Sequence, residues 1–149
     1  MTETDADNFR ILVVDDNPTN LKLLLQVLET ESHSVMVATS GAAALRIAAQ
    51  AIPDLILLDV VMPEMDGYEV CRHLQANAAT DRIPVIFLTG RDGKEDVMAG
   101  FAAGGVDYVV KPFREEEVLA RVATHVKLHR LSLALEAKNI ELEAEIARR

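Results

Sequence analysis

An open α/β fold, with a parallel sheet covered by helices on both faces, is predicted by three features of the 149-residue sequence. Short apolar runs alternate with segments of helical periodicity five times. The runs L-I-L-L before Asp59 and V-I-F-L before Thr89 are apolar at every position, as strands buried on both faces are. Each connection is also too long for a hairpin, which implies right-handed crossovers between parallel strands. Half of the residues are hydrophobic, enough for one domain with one core and an appendage.

In chain order, residues 1–8 (M-T-E-T-D-A-D-N) read as a frayed polar leader. Arg10 to Val14 is a short strand that ends on the paired acids Asp15 and Asp16. Asn17 can cap the next helix and Pro18 can open it, with Leu21, Leu24, Leu25 and Leu28 recurring at helical spacing. Ser34 to Ala38 is the second strand. Ser40-Gly41 starts an alanine-rich helix to about Gln50, in which Leu45 and Ile47 are expected to face inward, and Ile52-Pro53 breaks it. The third strand, Leu55 to Leu58, delivers Asp59 at its carboxyl end. After the loop M-P-E-M-D-G, Asp66 can cap a helix over about 67–76. Pro84 to Leu88 is a fourth buried strand ending at Thr89, and G-R-D-G leads to a helix over about 94–103 that stops at Gly104-Gly105. Asp107 to Val110 is the fifth strand and ends at Lys111-Pro112. From Phe113 onward the pattern is helical, without Gly or Pro from Arg114 to Arg149.

Composition narrows the classes of function. With 24 acidic against 15 basic residues the net charge is -9, which disfavours binding to nucleic acid or to an anionic membrane. Cys71 is the only cysteine, so no internal disulfide can form. The start of the chain lacks the order of a signal peptide, and no apolar run approaches the length of a membrane span, so a cytoplasmic location is expected.

If the strands are parallel, their carboxyl ends gather Asp15, Asp16, Asp59, Thr89 and Lys111 along one edge, where open α/β sheets bind ligands. Taken singly, each has an ordinary structural role: an Asp in a turn, a Thr satisfying its own loop, a solvated Lys. Five strand ends supplying D-D, D, T and K in order form a far more specific pattern. At about 4 Å and an effective dielectric near 20, each pair of like charges costs on the order of 4 kcal/mol, so either one carboxyl is protonated or a cation sits among them. Magnesium suits such a site because it takes hard oxygen ligands and completes its shell with water and phosphate oxygens. Lys111 and Thr89 could then hold oxygens of a phosphoryl group arriving at Asp59, and Gly90 leaves space for it. The implied chemistry is nucleophilic capture of phosphate by a carboxylate.

At this point the sequence resembles the receiver domain of two-component response regulators over residues 9–125, through V-V-D-D-N-P, L-L-D-V-V-M-P-E-M-D-G, F-L-T-G and Y-V-V-K-P-F. The resemblance implies a flavodoxin-like (βα)5 sheet in the order 2-1-3-4-5, with an extended C-terminal helix here. It implies Asp59 as the acceptor of phosphate from a sensor histidine kinase. It also implies Mg2+ held by Asp16, Asp59 and the backbone carbonyl of Val61, with Asp15 helping through water. Thr89 and Lys111 are expected to bind the phosphoryl oxygens, Thr89 and Tyr108 to form the switch pair, and the Lys111-Pro112 bond to be cis. Val61 and Arg91 stand where the family varies phosphate lifetime. Such a domain is regulatory rather than an enzyme.

The remaining features are read more plainly. His125 and His129 stand four apart on a helix without an evident acidic partner, so a solvated helix face is expected. Neither is followed by the residues of a kinase phosphoacceptor histidine. Cys71 is expected to pack. Residues 126–149 read as a helical extension and coiled-coil segment: Leu128, Leu135 and Leu142 repeat at seven, with Ser132, Asn139 and Ile146 at the alternating positions, favouring a two-stranded parallel coil and a homodimer. Leu133 and Ile140 form a second stripe that a monomeric helix would also show. An effector module beyond the coil is expected. The rival readings are a phosphohydrolase with an aspartyl-phosphate intermediate, disfavoured because D-D is adjacent rather than D-x-D, and a dimer scaffold independent of phosphorylation.

Overall fold

The computed structural model describes residues 9–31, 33–90 and 94–148, so the leader 1–8 and Arg91 lie outside the described residues. Its elements follow the order read from the sequence: β1 Arg10–Val14, α1 Pro18–Glu29, β2 Ser34–Ala38, α2 Gly41–Ala51, β3 Leu55–Asp59, α3 Gly67–Gln75, β4 Val85–Thr89, α4 Lys94–Ala103, β5 Asp107–Val110 and α5 Glu115–Ala147. All strand pairs are parallel, in the order β2-β1-β3-β4-β5. The central β3 and β4 are buried at every position, whereas the edge strand β2 buries only Ala38.

Alternation along the strands divides the core in two. Leu12, Val14, Ile56, Leu58, Val85 and Phe87 meet the face covered by α2, α3 and α4. Ile11, Val13, Leu55, Leu57, Ile86 and Leu88 meet Leu21, Leu24 and Leu28 of α1 and Val118, Val122 and Val126 of α5.

The helix starts follow from their caps. The Asn17 side chain accepts from the backbone N–H groups of Thr19 and Asn20, with Pro18 in the first turn. Ser40 Oγ accepts from Ala43 N–H, and Asp66 with Glu69 closes a capping box on α3. Ile52 takes the left-handed conformation, φ 43°, that ends α2. The Lys111-Pro112 peptide is cis, as expected.

Leu45 and Ile47 of α2 pack against the core as expected, but from its margin, and the start of the last helix shifts. In α2 the fully buried face is Gly41, Ala44 and Ala48, and Leu45 and Ile47 are only half-buried. Close approach of α3 selects glycine at 41: a Cβ there would lie 2.9 Å from Val70 Cγ2. The last helix starts at Glu115 rather than Phe113, with Arg114 in extended conformation before it. Its first turn carries Glu115, Glu116 and Glu117, whose charges suit the positive end of the helix. At 33 residues it is about 50 Å long, and it runs on without a break well past Val126.

Candidate functional site

The sheet order reverses between β1 and β3, and in open α/β sheets ligands bind at that point, beyond the carboxyl ends of the strands. β1 ends just before Asp15 and β3 ends on Asp59. Asp15, Asp16 and Asp59 each offer a carboxylate oxygen within 4.8 Å of the others'. Asp15 is fully buried and Asp59 is 5% exposed, while Asp16 lies open to solvent. Asp15 is oriented by Asn17 N–H, which donates to its Oδ1 at 2.9 Å.

From the end of β5, Lys111 Nζ donates to Asp59 Oδ1 at 3.0 Å and to Asp15 Oδ2 at 3.4 Å. The sequence suggested a protonated carboxyl or a metal as relief for the crowded acids. In this arrangement the lysine supplies part of it. Relief is incomplete: burial pushes the Asp59 carboxyl up to about 6, Lys111 pulls it down and the charge of Asp15 pushes it up again.

The donor set fits a small hard cation. Three carboxylates converge, no His or Cys belongs to the cluster, and the exposed Asp16 leaves one side open to water and to an incoming group. Magnesium is therefore compatible with these residues, whereas zinc would favour nitrogen or sulfur ligands.

The remaining site residues lie where the strand ends put them. Thr89 ends β4 and is buried, and Gly90 after it has no atom within 4 Å of where a Cβ would stand. Val61 is exposed in the loop after β3, which turns through Glu64 at φ 68° and is tied back by Gly67 N–H donating to Val60 O at 2.8 Å. Tyr108 is half-buried and lines, with Thr89, Val60 and Phe87, a small cavity of about 10 Å3. Its ring meets Phe101 edge-on at 6.4 Å.

One reading is corrected. His125 does not sit on a solvated face: its Nε2–H donates to Asp107 Oδ2 at 2.9 Å, and Arg121 Nη1 donates to both oxygens of the same carboxylate at 2.8 Å. His129 is also half-buried, and burial lowers its pKa. Sequence reading missed Asp107 because it stands 18 residues from its histidine partner and looked like an ordinary strand start. Cys71 is buried, its thiol pushed up to about 11 by burial, in keeping with packing rather than reaction.

Comparison with known proteins agrees with this geometry. Residues 11–123 match the family model described as the response regulator receiver domain. A Vibrio cholerae protein named as a probable cyclic di-GMP phosphodiesterase is 44% identical over 149 residues, covering 100% of this chain and 34% of that one. Response regulator PleD of Caulobacter vibrioides is 45% identical over 113 residues, 76% of this chain and 25% of that one. The chain thus spans about a third of the first relative and a quarter of the second. Protein PilH of Pseudomonas aeruginosa is 40% identical over 76% of this chain and 93% of its own. Among solved structures, the receiver domain of a Pseudomonas aeruginosa sensor histidine kinase, with magnesium coordinated in its active-site cleft, superposes with a TM-score of 0.76 at 31% identity, covering 80% of this chain and 98% of that one. Chemotaxis protein CheY4 of Vibrio cholerae gives 0.73 at 30% identity, over 77% and 98%. With the match covering most of its length and the sheet order that goes with it, this chain belongs to the response regulator receiver domain family.

Proposed function

We propose that this domain accepts a phosphoryl group on Asp59 from the phosphohistidine of a sensor kinase. The observation that carries the proposal is the convergence of Asp15, Asp16 and Asp59 with Lys111 Nζ 3.0 Å from Asp59. An Asp59 oxygen attacks phosphorus, the P–N bond breaks, and its electron pair returns to the imidazole nitrogen, which takes up a proton. Asp16, Asp59 and the Val61 carbonyl would hold Mg2+, with Asp15 acting through water. When bound, the ion neutralises charge on the phosphoryl oxygens. Lys111, already at Asp59, shifts its ammonium onto one phosphoryl oxygen, and the Thr89 hydroxyl donates to another. Asp59 must be ionised to attack, and a pKa near 6 leaves it mostly so at neutral pH.

Movement of Thr89 toward the phosphoryl group would open room for the Tyr108 ring, and the cavity that both residues line supports this switch. A cytoplasmic location goes with a kinase as donor and with the free thiol of Cys71. Among the described residues no helix is long and apolar enough to cross a membrane.

Residues 126–149 serve in this reading as a dimerising extension that carries the signal to an effector module. The exposed leucines of α5 support the dimer, and the greater length of the phosphodiesterase relative supports the effector. The test is treatment with acetyl phosphate and Mg2+ followed by intact mass. One phosphoryl group should add to wild type and none to Asp59→Asn; labelling that survives this substitution would overturn the assignment.

A further inference from the structure

We infer that His33 is a proton-sensitive latch on α5 at the edge of the sheet opposite Asp59: neutral, it secures Phe9 against Arg130, and protonated, it lets go and the helix loosens beyond Val126. The latch depends neither on phosphorylation of Asp59 nor on a second copy of the chain. Phe9 immediately precedes β1, whose other end leads to Asp15. It is 3% exposed and belongs to the core that holds Val118, Val122 and Val126 of α5.

Three groups meet at Phe9. Its N–H donates to His33 Nδ1 at 3.2 Å and its carbonyl accepts from Ser34 N–H at 2.9 Å, so the imidazole extends the pairing of β1 with β2 by one hydrogen bond. The two rings stack, with centroids 4.7 Å apart and planes 16° from parallel. The guanidinium of Arg130 lies 4.8 Å from the centre of the same Phe9 ring, and its Nη2 also donates to Asp54 Oδ2 at 3.4 Å.

A backbone N–H can only donate, so Nδ1 of His33 carries no proton here and the neutral ring keeps its hydrogen on Nε2. A proton added at Nδ1 turns the acceptor into a donor that faces another donor. It also places a second cation beside a ring that already holds Arg130. Stacking on Phe9 alone would tolerate an imidazolium, but the lost acceptor and the charge of Arg130 both oppose it.

The other charges around the ring come from three elements. A cavity of about 240 Å3 beside it is lined by Glu31 from the turn before β2 and by Lys127 from α5. Glu31 favours the imidazolium and Lys127 disfavours it. Asp54, from the turn before β3, is taken up by Arg130 and by the backbone N–H of Arg10. Burial tips the balance: it holds the half-buried His33 below its ordinary 6.5, with the charge of Glu31 pulling the other way. The share of stability that depends on neutral His33 is therefore full above 6.5 and lost as pH falls through the folded value. His125 and His129 of α5 face a separate groove, with Arg82 and Val106.

Hydrogen exchange and NMR titration of the 149-residue chain test the latch. After correction for the intrinsic rate, amides of α5 over residues 127–136 should exchange about tenfold faster at pH 5 than at pH 7.5. His33→Asn keeps an acceptor oxygen near the place of Nδ1 and takes no proton, so it should hold the slower rate at both pH values. Asp59, His125 and His129 are intact in that variant, and any pH effect of theirs would persist in it. In the wild-type chain, nitrogen shifts of His33 should place the proton on Nε2 at neutral pH and give a midpoint below 6.5, and Arg130→Gln should raise that midpoint by about 0.5. A proton on Nδ1, a midpoint at or above 6.5, or one that Arg130→Gln leaves unmoved would overturn the latch. So would exchange in α5 that ignores pH, or that quickens in acid equally in His33→Asn.

Discussion

Asp107 and His125 are joined by a 2.9 Å hydrogen bond that ties the first residue of β5 to the fourth turn of the last helix. The same carboxylate accepts from Tyr108 N–H at 2.8 Å, so the proposed switch residue and the long helix share one anchor. A change of backbone at Tyr108 therefore has a direct route to α5 through this carboxylate.

Asp107→Ala should destabilise the domain by about 1–2 kcal/mol, because hydrogen bonds to charged groups are lost and the guanidinium of Arg121 is left without its acid. Burial pushes the Asp107 carboxyl up, but hydrogen bonds from His125 and Arg121 outweigh it and hold the group below its ordinary 3.8. Its contribution is thus present above pH 3.8 and lost as pH falls through the lower folded value. Urea unfolding at pH 7.5 and again near pH 3 should show the gap between wild type and variant narrowing in acid. An unchanged gap would mean that the ion pair is not what holds the helix.

Asp59 has the opposite sign. Its pKa is raised to about 6, so its charge opposes folding: its favourable share is full below 3.8 and lost as pH rises through 6. Asp59→Asn should therefore be more stable than wild type by about 1–3 kcal/mol at pH 7.5 in chelator, an advantage that fades toward pH 4. Millimolar Mg2+ should stabilise wild type and leave the variant nearly unmoved. Thermal unfolding with and without the ion decides it, and a wild type more stable than Asp59→Asn in chelator would contradict the electrostatic account.

The parts of this site that could be read from sequence are those set by strand ends. Continuous apolar runs mark buried parallel strands, and the residue where each run stops must lie at the sheet's edge, so Asp59, Thr89 and Lys111 were legible before any coordinates. The three interior strands β1, β3 and β4 are the ones with unbroken apolar runs, and every residue of those runs is buried. What stayed hidden depends on side chains that meet across long separations. Nothing in a helical pattern says that His125 finds Asp107, or that Arg130 lies over Phe9. The inward face of α2 was legible only in part. Periodicity picks out Leu45 and Ile47, which do pack against the core though only half-buried, but it does not show that Gly41, Ala44 and Ala48 are the residues fully covered, at Gly41 because Val70 comes too close for a side chain.

Lys111→Met separates two roles of one residue. Without the ammonium, Asp59 and Asp15 lose their counter-charge, so a divalent cation should bind severalfold more tightly. Labelling by acetyl phosphate should nevertheless fall about 100-fold, because a donor to the transferring oxygens is missing. Calorimetric titration with Mg2+ and the rate of mass gain read the two effects separately. Weaker Mg2+ binding in the variant would show that the lysine organises the carboxylates rather than opposing the ion.

The loop that carries Val61 owes its path to one glycine. A Cβ on Gly67 would stand 2.4 Å from the Asp59 carbonyl oxygen and 2.9 Å from Val60 Cα. Both are backbone atoms of the acceptor strand's end, so neither can turn aside as a side chain would. Gly67→Ala should push α3 off β3, cost about 2–3 kcal/mol of stability and slow phosphorylation of Asp59 as the carboxylate moves from its partners. Gly90→Ala is the matched control for the fold: its Cβ meets nothing within 4 Å, and its stability should change by less than about 0.5 kcal/mol. Urea midpoints for the two variants make the comparison directly. Equal stability would mean that the helix yields at little cost, and the close approach of Gly67 to Asp59 would then not be what holds the acceptor in place.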